Sequence, residues 1–195
     1  MLRVISKQLH KLGFPVVRDE HDEPKVFYHG TDKKFDKFER RPGKRYVLWS
    51  EFPVNSPGHF FTPDPEFAQE FGSNVMKRHL DINKILLDPK EYPHMGVDSF
   101  PPEFEDELRY ILEPMIEKSP EGDRYVDVGV GRFYIKDDDW IYNLVTSNGM
   151  KWDALDNEGV VKRMKERGYD ATYVDEAEGQ HSIFVVDSGQ ILHIS

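Results

Sequence analysis

An α+β fold is the class this sequence predicts, and three observations predict it. Strand-like runs of β-branched and aromatic residues are mixed with helix-like stripes, but they never alternate as repeated strand–helix–strand units. The helical stripes carry their own stop signals, with Gly13, Gly72 and Gly168 each following the last periodic residue. The chain closes on a strand pair, Ala171–Glu176 and Ser182–Asp187, joined by the short loop Ala177-Glu178-Gly179-Gln180.

Leu2, Ile5, Leu9 and Leu12 recur at helical spacing before Gly13, which predicts a short amphipathic helix. Val26–His29 then reads as a short apolar strand that stops at a histidine, a glycine and the hydroxyl of Thr31. The segment from Asp32 to Pro57 is charged and carries Pro42-Gly43 and Pro53, so it reads as a long loop, a kind commonly functional inside compact domains. Phe60–Thr62 ends a second strand. Asp64 follows as a helix cap with Pro65 in the first turn, and Phe67, Ala68 and Phe71 share one helix face. Asn74–Ile82 and Lys84–Leu87 read as strands. From Asp88 to about Lys136 the composition shifts to proline, acidic and aromatic residues, and this stretch is expected to be an insertion on the core fold. Within it, Phe104, Leu108, Ile111, Leu112 and Met115 form a helical stripe that Pro114 should kink or end. Asn157–Arg167 predicts a helix with Val160, Val161 and Met164 buried and basic residues in its last turns. Gln190–Ile194 adds a final strand. No repeat or low-complexity linker divides residues 1–195, so a single domain is expected.

The 195 residues are enough for a hydrophobic core without disulfides or metals. There is no cysteine, which excludes disulfides and thiolate zinc sites. Met1–Lys7 lacks the apolar core of a signal peptide and no run reaches membrane-spanning length, so a cytoplasmic protein with no membrane partner is expected. A formal net charge of -10 argues against a nucleic-acid partner, because phosphate contacts need clustered cations. The charge is uneven. Lys33, Lys34, Lys37, Arg40, Arg41, Lys44 and Arg45 form a basic run, and Glu103, Glu105, Asp106, Glu107, Glu113 and Glu117 an acidic one. Both suit a solvated face, and the basic run gains interest only from its place beside the His29 strand.

Three motifs stand in order: Tyr28-His29-Gly30-Thr31, then Gly58-His59-Phe60-Phe61-Thr62, then Gly168-Tyr169-Asp170 with Ser182-Ile183-Phe184-Val185-Val186-Asp187 and Gln190-Ile191. Together they resemble the ADP-ribosyltransferase superfold, nearest to its phage and mobile-element branch related to polyvalent-protein ADP-ribosyltransferases. The resemblance implies a split β-sheet core with flanking helices, and a cleft for NAD between two half-sheets. It implies that His29 meets a ribose hydroxyl and that the Gly30 backbone holds the nicotinamide amide, with Thr31 beside them. Phe60 would stack on nicotinamide where the family usually has tyrosine, Phe61 would turn to the core, and Thr62 would begin the next turn. NAD is then a co-substrate, no metal is needed, and the acceptor is a macromolecule, expected to be a host protein if the chain is phage-encoded.

The chemistry fits these residue types. Breaking the nicotinamide–ribose bond passes through an oxocarbenium-like state, which a nearby carboxylate stabilises and a pinned ring positions. The family's catalytic glutamate opens the last-hairpin strand five residues before the aspartate matched by Asp187, and here that place is Ser182. The acid therefore comes from elsewhere or the enzyme is dead. Asp175 and Glu176, which close the preceding strand, are the favoured replacements, with Glu178 in the loop as a third. Plainer readings stand beside these: a solvated hairpin tip for the three acids, a strand-end histidine with a backbone partner for His29, and a turn residue for Asp170. Trp49, Trp140 and Trp152 suit packing, and His79, His181 and His193 lack metal-ligand spacing. Two rivals remain open, a non-catalytic NAD-binding or protein-binding member and an RNA 2'-phosphotransferase of the same superfold.

Overall fold

The computed structural model describes residues 17–39, 43–47, 50–54, 57–86, 102–127, 132–146, 155, 157–176 and 180–194. The helix expected over Leu2–Leu12 lies outside them. In chain order the elements are β1 (Phe27–Thr31), β2 (Gly43–Val47), β3 (Ser50–Val54), β4 (His59–Phe61), α1 (Pro65–Gln69), β5 (Asn74–Leu80), β6 (Ile85–Leu86), α2 (Pro102–Leu112), β7 (Ile116–Lys118), β8 (Arg124–Asp127), β9 (Arg132–Tyr134), α3 (Trp140–Thr146), α4 (Glu158–Glu166), β10 (Ala171–Asp175), β11 (His181–Val185) and β12 (Ile191–His193). The fold is α+β. The chain divides into two compact units, one of residues 1–39, 58–88 and 169–195, the other of residues 40–57 and 89–168.

The first unit is built on two small sheets, ordered β1-β5-β12 and β4-β11-β10-β6. All their pairings are antiparallel except β10 with β6. Among the described residues one bridge joins them: Tyr28 and Thr62 each donate a backbone N–H to the other's carbonyl, at 2.8 and 2.9 Å. The two sheets are otherwise separate, which is the split core that the resemblance implies. The period of two buries one face of each strand. Phe27 and Leu80 on the first sheet meet Phe61, Ile183 and Val185 on the second in one apolar cluster that also takes Phe38 and Ile191.

Local signals account for the connections. Asp64 caps α1, its Oδ1 accepting from the backbone N–H groups of Glu66 at 2.8 Å and Phe67 at 3.2 Å. After β11 the chain changes sheets through a capping box: Asp187 Oδ1 accepts from Gly189 N at 2.9 Å and Gln190 Oε1 accepts from Asp187 N at 3.2 Å. Gln190 Nε2 also donates to the Asp81 carbonyl at 3.1 Å, which delivers β12 to the edge of β5.

In the second unit, α2 ends at Leu112 and the chain tightens into a 3-10 turn over Glu113–Met115, where Pro114 has no N–H to continue the helix. Leu108, Ile111 and Leu112 of α2 are buried with Trp140, Ile141 and Leu144 of α3 and with Val160, Val161 and Met164 of α4. The strands β7, β8 and β9 form a meander. Asn157 caps α4 by accepting from Gly159 N at 2.8 Å. The expectation of an unbroken loop over Asp32–Pro57 is corrected here, since β2 and β3 pair as a hairpin from Gly43↔Val54 to Val47↔Ser50. Pro53 is compatible with that because a two-stranded ribbon has only edge strands. The stretch of about 88–136 read as an insertion falls inside this unit, which also takes residues 40–57 and continues to 168.

Candidate active site

Apart from Gly168, all the residues of the three motifs lie in the first unit. His29 stands third in β1, on the pleat face of Phe27, and its ring is partly buried among Phe35 at 6.1 Å, Phe38 at 5.1 Å and Phe61 at 5.4 Å between centroids. Its Nδ1 lies 2.8 Å from the Phe60 carbonyl oxygen. A carbonyl only accepts, so Nδ1 carries the proton and Nε2 is left as an acceptor. Burial is the main cause that pushes the imidazole below its ordinary pKa; the Phe60 carbonyl opposes it and the charge of Arg78 reinforces it. His29 is thus a neutral base with one tautomer fixed by the backbone of the other sheet.

Gly30 is fixed by packing from above and opens sideways. A Cβ there would come within 1.7 Å of the Ala68 carbonyl oxygen on α1, so only glycine lets the helix sit this close. Along a strand, alternate residues direct their N–H and C=O to the same edge. Tyr28 turns both groups toward the bridge with Thr62, away from β5, so Gly30 presents its pair along that edge where the sheets part. Thr31 ends the strand, its Oγ1 accepting from Lys33 N at 3.2 Å.

On the second sheet, register decides facing. Phe60 pairs with Phe184 and Phe61 with Ile183. Phe61 is 1% exposed in the core, whereas Phe60 is partly exposed and packs one side on Phe184 at 4.8 Å. Gly58 makes room for this: a Cβ there would lie 2.4 Å from Phe184 Cζ and from the Val185 carbonyl oxygen. Thr62 is buried and its Oγ1 accepts from Asp64 N at 3.2 Å, which starts the turn into α1.

The hairpin carries the three acids, and it separates two of them. Val174 faces Ser182 and Asp175 faces His181. Asp175 therefore stands one ladder step from Ser182. The pleat puts Ser182 and Phe184 on one face with Phe60, and position 175 on the other with Ile183 and Val185. Glu176 donates its N–H to the Gln180 carbonyl at 2.8 Å, extending the ladder by one step and returning position 176 to the Ser182 face. Its Oε1 is shielded from solvent. Glu178 lies outside the described residues. The Phe67 and Glu66 N–H groups hold the Asp64 carboxyl below its ordinary pKa, against the opposing effect of burial. Ser182 itself is 3% exposed.

Two further polar residues hold structure. Asp170 holds a turn, accepting from Asn83 N at 3.0 Å, Asn83 Nδ2 at 3.1 Å and Lys84 N at 2.8 Å. His79 is a core histidine whose Nδ1 lies 2.9 Å from the Lys25 carbonyl oxygen. Among the described residues no three His, Asp or Glu gather around a point, and no helix is long and apolar enough to cross a membrane. Reading by motif missed Arg78, Phe35 and Phe38. The signal for Arg78 was present, because it alternates in phase with Met76 and Leu80 and so occupies the inward face of β5.

No curated protein and no solved structure matches the chain. A family model described as ADP-ribosyltransferase in polyvalent proteins matches residues 19–195, which spans both sheets, the bridge between them and the hairpin. On that match and the split core it covers, the chain belongs to the ADP-ribosyltransferases of polyvalent proteins.

Proposed function

We propose that this ADP-ribosyltransferase domain uses NAD as its co-substrate, cleaves the nicotinamide–ribose bond and transfers ADP-ribose to a macromolecular acceptor. The observation that carries the reading is the fixed tautomer of His29, with Nε2 left to accept, beside a Gly30 backbone pair on the edge where the sheets part. A carboxamide offers one acceptor and two donors, so the Gly30 N–H and C=O complement it. Nε2 of His29 accepts from a ribose hydroxyl and fixes the sugar. The exposed part of Phe60 supplies a π-face for the nicotinamide ring.

Glu176 is our assignment for the acid. Its ladder position on the Ser182 face supports it over Asp175, whose register position lies on the other face. A carboxylate there stabilises the positive charge that develops at the ribose as nicotinamide leaves with the bonding electron pair. The acceptor's nucleophilic atom then bonds to the anomeric carbon and releases its proton to water. A net charge of -10 favours a protein acceptor over nucleic acid, and for a phage-encoded chain that acceptor is a host protein in the cytoplasm.

Nicotinamide release from labelled NAD tests the assignment. E176Q is expected to lower kcat by about 100- to 1,000-fold, with D175N close to wild type. Wild-type turnover in E176Q removes the acid assignment. The buried serine at the family's glutamate position favours a second reading, a member that binds NAD without cleaving it. Measurable NAD binding by the wild type with no nicotinamide release selects that one.

A further inference from the structure

Arg78 is a cation on the inward face of the first sheet that the reaction as written above does not use. It lies in β5, diagonal to His29, whose direct partner across the ladder is Met76. Its side chain folds back over that partner: Nη2 is 3.8 Å from Met76 Sδ, and Nη1 donates to the Lys77 carbonyl at 2.7 Å. The guanidinium is therefore carried alongside the His29 imidazole. Both flank the same ring, with Arg78 Cζ 5.3 Å from the Phe38 centroid and the imidazole 5.1 Å from it.

Among the described residues no carboxylate lies within ion-pair distance of Arg78, and Asp36 acts on it only from further away. Its Nε is buried and has no acceptor among the described residues. A partly desolvated guanidinium with an unfilled donor is costly unless an anion completes it. In NAD the 5′ carbon of the nicotinamide ribose carries the diphosphate, so an anion follows directly from the sugar that His29 would hold. Arginine is the side chain best suited to that group, because its planar fork meets two phosphate oxygens at once.

We propose that Arg78 binds the diphosphate of the dinucleotide and so sets the preference for NAD over nicotinamide riboside. This rests on the NAD reading of the site. The residue acts on affinity and specificity, while the bond-breaking step stays with Glu176.

The test compares wild type, R78Q and R78K on three probes: NAD, ADP-ribose and nicotinamide riboside. R78Q is expected to raise the KM for NAD and the Kd for ADP-ribose about 10- to 100-fold, with little change in kcat. R78K should recover part of that affinity, and turnover of nicotinamide riboside should be equal in wild type and R78Q. An unchanged ADP-ribose Kd in R78Q, or an equal loss on the riboside and on NAD, overturns the proposal while leaving the NAD reading intact. A wild type that neither binds ADP-ribose nor cleaves NAD overturns both. If R78Q does not fold, salt titration of the wild type decides: ADP-ribose binding that weakens with salt while riboside binding does not supports the contact, and equal salt dependence overturns it.

Discussion

His29 is a base kept without its second proton. Burial removes water from the imidazole, the nearby Arg78 charge disfavours a cation, and the Phe60 carbonyl holds Nδ1–H in place. The useful consequence is at Nε2, which accepts a hydroxyl proton only while the ring is neutral. Since the folded pKa lies below 6.5, nicotinamide release should be flat through neutrality and fall on the acid side with a midpoint under 6.5. A pH–rate profile whose acid limb has its midpoint above that value, or an NMR titration of His29 above it, contradicts the assignment. Asp175 and Glu176 make the same point about adjacency. They are neighbours in sequence and so alternate in register, and E176Q is expected to lower turnover about 100- to 1,000-fold with D175N close to wild type.

At the scale of elements, the contact that positions the site is α1 on β1. The helix is too short to be stable alone, and its hold comes from the Asp64 cap and from close approach to Gly30. A methyl group at position 30 would lie 1.7 Å from the Ala68 carbonyl, a main-chain atom that moves only with the helix. Gly30→Ala is therefore expected to destabilise the protein by about 1–3 kcal/mol, measured by urea denaturation, and to displace the edge that Gly30 presents. An unchanged midpoint would mean that α1 yields without cost. The Asp187–Gln190 capping box is the counterpart at the other end of the chain, since it turns the backbone out of one sheet and into the other.

Across the first unit, two sheets that meet at the Tyr28–Thr62 bridge share one apolar cluster. Phe184, on the opposite face of the second sheet from that cluster, ties stability to the site. It is fully buried, lies over Gly58 and supports one side of Phe60. Phe184→Ala is expected to cost about 3–5 kcal/mol in chemical denaturation, because the lost ring leaves a cavity that neighbouring backbone cannot fill. Loss well under that range would mean that Phe60 and Gly58 collapse into the space.

Local signals in the sequence determined much of this architecture. The Asp64 cap, the end of α2 at Pro114, the Asn157 cap and the closing hairpin all depend on residues within a few positions of one another. The hairpin of β2 and β3 escaped because its Pro-Gly and charged composition imitates a loop, while the ladder that forms it is a pairing between separate runs. Tertiary structure alone decided which tautomer His29 takes, that Asp175 stands against His181, and that Arg78 lies beside the imidazole. Each of these depends on contacts between segments that are distant in the chain or on strand register, and a register shift of one residue reverses every side chain on a strand. Sequence periodicity names the faces of an element; only the packing of one sheet edge against another says what each face meets.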